Sequence, residues 1–457
     1  MESIWTRGTG MKKRRILSGD KRIHTAVIGG GLAGILTAYR LQKQGVPVIV
    51  LEANEIGSGQ TKDTTAKITS QHNLMYDRLL QSFGEKLAGQ YARANEKAIN
   101  DYERIIKEEQ ISCQFTRCPS YLYSCRKTDV LKKEAEAAKK LGIYAAYEED
   151  CELPFPVTGV TRFDNQARFH PLEFVKALSE KIAVYENTKV LRVKDHKIET
   201  EQGTVTAEKI VFATHYPFMN MPGYYFARMY QERSYVLALK NTMKLEGMYL
   251  GIDADGLSFR PQDDILLLGG GSHRTGGNRE GGRYQMLRDR AVNLWPDCRE
   301  IAHWSAQDCM TLDGIPYIGQ FASKTPDWYV AAGFGKWGMT SSMVSARIIA
   351  DTIVGRSCHN ADIFSPERKI TAKAVGKFFL HSLHTASGLG KRLLPAKKRK
   401  TGDGQHTVVR RCPHMGCRLE WNPEEKTYEC PCHGSRFNKN GELLDNPAQA
   451  DCKCRPL

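Results

Sequence analysis

The stretch from Thr25 to Glu52 constrains the fold more than any other part of the chain. An apolar run, Thr25-Ala-Val-Ile28, leads into Gly29-Gly-Gly-Leu-Ala-Gly34 and an amphipathic run to Gln42. A second apolar run, Val46-Pro-Val-Ile-Val-Leu51, stops at Glu52. Strand, glycine turn, helix and strand within about 30 residues make a β–α–β unit, whose two strands lie parallel in one sheet. Gly29-x-Gly31-x-x-Gly34 carries the phosphate-binding spacing. The first glycine permits a tight turn, the second lets the backbone approach a pyrophosphate, and the third lets the helix lie close to the strand. The helix N-terminus then offers unpaired N–H groups to the anion. Glu52 stands where an acid accepts hydrogen bonds from a ribose, and it argues against a 2′-phosphate and so against NADP. The glycine spacing alone is a weak signal, but here both strands, the helix and the terminal acid accompany it. The unit predicts a dinucleotide and leaves FAD and NAD both open.

The rest of the chain has the material for a large core. Of 457 residues, 41% are hydrophobic, which excludes wholesale disorder. No apolar run reaches the length of about 18 residues that a membrane span needs. The predicted elements are helices over Asp129–Leu141, from His170-Pro171 to about Ile182, and over Thr340–Gly355. A meander of Lys189–Leu191, Lys197–Thr200 and Gly203–Val205 precedes a strand at Lys209–Thr214, and another strand lies at Trp328–Gly333. Residues 220–300 read as strands and glycine turns. A short amphipathic helix is predicted over about 370–385, then a basic linker over 386–405. The net charge of +15 is concentrated in runs such as Lys12-Lys-Arg-Arg15 and Lys397-Lys-Arg-Lys400. These read as solvated tails or linkers, with a partner surface as the alternative. The N-terminal segment lacks the apolar stretch of an export signal, so a cytoplasmic location is expected.

Six of the 13 cysteines fall from Cys412 onward. Cys412-Pro-His414-Met-Gly-Cys417 is followed after 12 residues by Cys430-Pro-Cys432-His433-Gly-Ser435. Zinc would accept two cysteines and two histidines, but zinc fingers pair Cys with Cys and His with His along the chain. Here each loop supplies one cysteine and one histidine. A Rieske [2Fe–2S] cluster needs that set, with Cys₂ on one iron and His₂ on the other.

The tail resembles the Rieske family. The resemblance implies Cys412, His414, Cys430 and His433 as cluster ligands, a disulfide between Cys417 and Cys432, and a hydrogen bond from Ser435 to a cluster sulfide. Phe437 stands where high-potential relatives carry tyrosine, which implies a potential below the top of the Rieske range. The module, assigned to 406–457, is shorter than full Rieske domains of the family.

Residues 22–366 resemble FAD-dependent oxidoreductases of the glycine-oxidase and D-amino-acid-oxidase type. The resemblance rests on the fingerprint, on the loop Gly57-Ser-Gly-Gln-Thr-Lys-Asp-Thr-Thr-Ala66, on Val205–Thr214, and on Thr311–Gly319 with Gly333-Phe-Gly-Lys-Trp-Gly-Met-Thr340. It implies FAD bound by Gly29, Gly31, Gly34, Glu52, Thr61, Thr65, Gly333, Gly335, Gly338, Met339 and Thr340. The fold it implies is α/β: an FAD-binding Rossmann-like domain (22–80, 160–217, 304–366) with an α+β substrate domain (85–158, 218–303). A helix and linker (367–405) would join this to a small all-β Rieske module. One departure is Asp308, which stands where amino-acid-oxidising relatives often carry a carboxylate-binding arginine. An acid there favours a cationic amine, unless it is merely structural. His273 and His215 are weak candidates for catalysis, and a loop or core histidine with satisfied hydrogen bonds is the alternative for each. The expected function is oxidation of an amine-type substrate, with electrons passing between FAD and the cluster to a one-electron partner. The competing reading is a non-enzymatic redox-sensing or nucleic-acid-associated protein, although nucleic acid is not an expected partner. A ring-hydroxylating oxygenase would need a mononuclear 2-His-1-carboxylate site, and no such set is legible. A ferredoxin reductase would need a second nucleotide fingerprint, and Gly269-Gly-Gly271 lacks the spacing.

Overall fold

The computed structural model describes residues 2–369, 376, 398–400 and 406–456. Strand Lys21–Ile28 lies between Gly203–Phe212 and Val48–Leu51, parallel to both. Thr325–Ala332 and Ala183–Tyr185 extend this sheet, also in parallel, and Tyr317–Ala322 closes one edge antiparallel. The helix Leu32–Lys43 follows the glycine turn as expected. Gly29 has φ 110°, and a Cβ there would stand 2.5 Å from the Ala213 carbonyl oxygen. A Cβ on Gly34 would strike the carbonyl of Gly29, so only glycine lets this helix pack onto its strand. The expected helices appear as Asp129–Lys140, Pro171–Ser179 and Gly338–Ile353.

A second, mostly antiparallel sheet runs in the order Arg299–Thr311, Met229–Lys240, Ile265–Arg274, Ser258–Gln262, Met248–Gly251, Thr116–Ser124, Gly159–Arg168 and Lys67–Ile68. The expected division cuts this sheet differently from the chain. Gly159–Arg168 and most of Arg299–Thr311 fall in the assigned nucleotide-binding part, yet both pair in the second sheet. The helix Arg283–Leu294, inside the stretch read as strands and turns, lies against it. The long helix Tyr76–Glu108, interrupted at Gly84, is absent from the predicted elements. It packs beside Gly338–Ile353, with Tyr102 Oη donating to the Met339 carbonyl at 2.8 Å.

Two of the basic runs are corrected by the structure. The N-terminal segment is packed rather than a free tail, although Lys12, Lys13 and Arg15 stay exposed: Trp5 is buried, its Nε1 donates to Thr64 O, and Arg14 N donates to Glu186 at 2.8 Å. Lys398–Lys400, read as linker, is a strand paired with His406–Val409, which pairs in turn with Cys454–Pro456. Apart from Gly376, the helix expected over about 370–385 lies outside the described residues, as does most of the linker. A second small sheet, Glu420–Asn422, Thr427–Glu429, Arg436–Phe437 and Leu443–Asp445, completes the C-terminal module. Among the described residues no helix is long and apolar enough to cross a membrane.

Candidate active site and cluster site

A cavity of about 540 Å³ opens between the two large sheets. Its nucleotide end is walled by Gly29, Gly31, Glu52, Thr61 and Thr65, all expected there. Glu52 accepts hydrogen bonds from Gly30 N at 2.5 Å and Asn54 N at 2.8 Å, which holds the carboxylate at the end of its strand. Burial pushes its pKa up, against those N–H groups. Gly335, Gly338 and Met339 line the other end, at the N-terminus of helix Gly338–Ile353. Unpaired N–H groups at such a terminus stabilise negative charge. Gly34, Gly333 and Thr340 do not line the cavity and shape it from behind. A Cβ on Gly333 would collide with Thr311, and the Thr340 hydroxyl is bonded to Thr69 O at 3.1 Å.

His72 ties that helix end down, a role that no local motif around it signals. Its ring stacks on Trp337 at 4.7 Å, with Nδ1 2.6 Å from Tyr91 Oη and Nε2 near Thr69 O and Thr340 Oγ1. Burial lowers its pKa to about 3, so the imidazole is neutral. Of the weak candidates, His215 lines the cavity, with a positive φ of 63° and its buried Nε2 without a hydrogen-bond partner. His273 does not. Its ring turns to Tyr235 Oη at 3.0 Å and to the Arg274 carbonyl at 2.7 Å, because its strand directs Ser272 inward instead. Asp308 lines the cavity but is not a free charge, since Lys336 Nζ sits 2.9 Å away.

The cluster loops close by matching backbone bonds. Cys412 N donates to Cys417 O at 2.9 Å, and Cys430 N donates to Ser435 O at 2.8 Å. Gly416 N and Gly434 N donate back to the first cysteine of each loop. Cys412, Cys430 and His433 are buried, and the two imidazoles meet at 5.0 Å, nearly perpendicular. The Asn220 side-chain oxygen accepts from His414 Nε2 at 2.8 Å, which leaves the Nδ1 lone pair available. That Nδ1 is buried and makes no hydrogen bond, an arrangement suited to a metal ligand. Hydrogen bonds from the Cys412, Cys417 and Cys432 thiols hold the Cys430 thiol well below its usual range. The Ser435 hydroxyl accepts a hydrogen bond from Ala448 N at 3.0 Å. The expected Cys417–Cys432 disulfide is not formed: both are free thiols, clustered with Cys430 within 4.8 Å.

The module is docked on the cavity. Residues Leu443–Asn446 form part of the cavity wall. Asn446 Nδ2 donates to Thr214 O and Tyr216 O, just past the end of strand Gly203–Phe212. Gln231 Nε2 donates to His433 O at 2.8 Å, and Gln307 Nε2 donates to Gly434 O at 2.9 Å. Arg233, fully buried, pairs with Glu425 at 2.9 Å, and Arg436 links Glu425 to Asp445. Burial raises the Glu425 pKa, but Arg233 and Arg436 outweigh it and hold the carboxyl below its usual range.

The family comparisons agree with this geometry. The model of the FAD dependent oxidoreductase family matches residues 24–352, and that of the Rieske [2Fe-2S] domain matches 384–456. The chain belongs to the FAD dependent oxidoreductase family and carries a C-terminal Rieske domain, and its cofactors are FAD and a [2Fe–2S] cluster. The chain is 35% identical to the Rieske 2Fe-2S iron-sulfur protein YhfW of Bacillus subtilis, over 98% of this chain and 96% of that one. Residues of the tail are 41% identical to a cytochrome b6-f complex iron-sulfur subunit of Nostoc sp., over 10% of this chain and 26% of that one. Glycine oxidase from Geobacillus kaustophilus superposes with a TM-score of 0.65 at 19% identity, covering 77% of this chain and all of that one. The Rieske match begins at residue 384, ahead of the 406–457 assigned from sequence.

Proposed function

We propose that this oxidoreductase oxidises an amine-type C–N substrate in the cavity and passes electrons between FAD and the Rieske cluster to a one-electron partner. FAD would be held by Gly29, Gly31, Glu52, Thr61, Thr65, Gly335, Gly338 and Met339. Cys412, His414, Cys430 and His433 would hold the cluster, and oxidation would join Cys417 to Cys432. Bound FAD supplies a two-electron acceptor, and the cluster supplies a one-electron relay. The chain itself supplies position and dryness: two sheets enclose the cavity, and Leu443–Asn446 cover it. The observation that carries electron exchange is Gln307. It lines the cavity and donates to Gly434 O, next to a cluster ligand, so both centres rest on one buried side chain. The amine class is supported by the fold, shared with glycine oxidase, with L-proline dehydrogenase from P. horikoshii and with iminodiacetate oxidase from Chelativorans sp..

The test compares wild type with Cys430→Ala under anaerobic conditions. The variant should still bleach its flavin with an amine substrate, yet deliver electrons more slowly to a one-electron acceptor. Equal one-electron turnover in both would remove the cluster from the electron path.

A further inference from the structure

Lys67 stands at the edge of the second sheet and crosses to the far wall of the cavity. Its Nζ donates to Tyr249 O at 2.9 Å and to Ser258 Oγ at 2.7 Å. Ser258, Leu250 and Gly269 line the same stretch of wall. Neither acceptor is charged, and among the described residues no carboxylate forms an ion pair with Lys67. The groups packed around it are cationic or neutral. Arg168 is its register partner across the strand pair, Arg260 approaches from the strand Ser258–Gln262, and the Cys118 thiol lies among all three. Tyr235, His215 and the Asp308–Lys336 pair line the same cavity. A lysine enclosed in this way, with arginines behind it and no acid beside it, favours the neutral amine. Burial, with Arg260 beside it, brings its pKa down to about 7 against the weaker pull of Cys118. A neutral amine has two N–H groups, and both are engaged by Tyr249 O and Ser258 Oγ. Its lone pair is left for the cavity.

We propose that Lys67 is the general base of the site, taking a proton from the ammonium group of the bound substrate. This rests on the amine reading given above. The substrate's N–H bond breaks, an N–H bond forms on Lys67 Nζ, and the substrate nitrogen keeps its electron pair. That pair is what expels hydride from the adjacent carbon, and an ammonium lacks it. Nζ becomes a cation held by the same two oxygens, and it returns the proton to solvent when the product leaves. Lys67 is the stronger proton acceptor in this pocket, because Asp308 is already paired to Lys336, His273 faces away, and burial lowers the His215 imidazole below its usual range.

Two measurements on the FAD-loaded full chain test this. The first is competitive acetylation of the native protein with acetic anhydride across pH, read by mass spectrometry of the Lys67 peptide. Only the neutral amine reacts. The half-maximal rate should fall near pH 7, and should move to about pH 10 for the same residue in the denatured chain. The second is anaerobic flavin bleaching by glycine, sarcosine, L-proline and benzylamine. In wild type the rate should rise with pH through about 7, where the base loses its proton. Lys67→Met should lose that rise and slow bleaching by about 10²–10⁴-fold. Lys67→Arg, which keeps charge and length but cannot accept the proton, should be as slow. Recovery by Lys67→Arg, or native labelling that matches the denatured chain while amines still bleach the flavin, overturns the base role and leaves the amine reading intact. Bleaching by none of the four amines removes the amine reading and the base role together.

Discussion

The proposed cluster site draws on side chains from Cys412 to His433, two loops folded alike, whereas the cavity proposed for FAD takes its walls from Ile28 to Asp451. The first is a local object. Each loop is closed by its own backbone hydrogen bonds, so ligand spacing in sequence translates directly into ligand placement. The second exists only when a parallel sheet, an antiparallel sheet and the C-terminal module come together. The contrast bears on function because the two sites are not independent. The cluster loop rests on Gln231 and Gln307, and the module's Leu443–Asn446 segment closes the cavity.

Four experiments break or sharpen this contrast, in falling order of effect. Removing a ligand by His433→Ala should abolish the reduced-state EPR signal and the acid-labile sulfide while FAD stays bound. Loss of both cofactors would mean that the local site props up the distributed one. Gly31→Val places a side chain against Thr61 in the pyrophosphate position, so it should release the flavin and spare the cluster. Denatured protein would then yield no yellow cofactor, with the EPR signal intact.

The docking between the sites is tested by Glu425→Ala. This leaves Arg233 buried without its main partner, and breaking such a pair costs about 3–5 kcal/mol. Hydrogen exchange should show Glu420–Asp445 opening earlier, with Lys21–Ile28 unaffected. The smallest effect is acid dependence. Glu425 and Asp445 both have lowered carboxyl pKa values: burial raises each, and Arg233 with Arg436 more than offsets it. A carboxyl whose folded pKa is depressed gives stability that is complete above its unfolded value of about 4. That stability is lost as pH falls through the depressed folded value. Thermal unfolding of the module should therefore be flat from neutral pH to about 4 and fall below it.

Much of the α/β core was legible because its signals are short. The fingerprint needs only three glycines, two apolar runs and an acid, and the structure places Leu32–Lys43 and Val48–Leu51 where those signals put them. The helix Tyr76–Glu108 was not legible because Gly84 interrupts its periodicity, and its partner is a helix more than two hundred residues away. The sheet that Gly159–Arg168 and Arg299–Thr311 join was hidden for a related reason. Neither strand carries a pattern that names its sheet, and pairing alone decides.

The sequence by itself determined the chemistry of the two sites. Glycine spacing and Glu52 called for a dinucleotide, and the Cys-x-His and Cys-x-x-His pairs called for a mixed-ligand iron–sulfur cluster. Both are properties of a few neighbouring residues and survive any arrangement of the rest. Tertiary structure alone decided which charges are free. Asp308 became half of a pair with Lys336, His273 was turned onto Tyr235, and Lys67, an ordinary lysine in sequence, was walled in without an acid. The energy of a charge depends on what surrounds it within a few ångströms. Those neighbours come from Cys118, Arg168, Tyr249, Ser258 and Arg260, which only the folded sheet brings together.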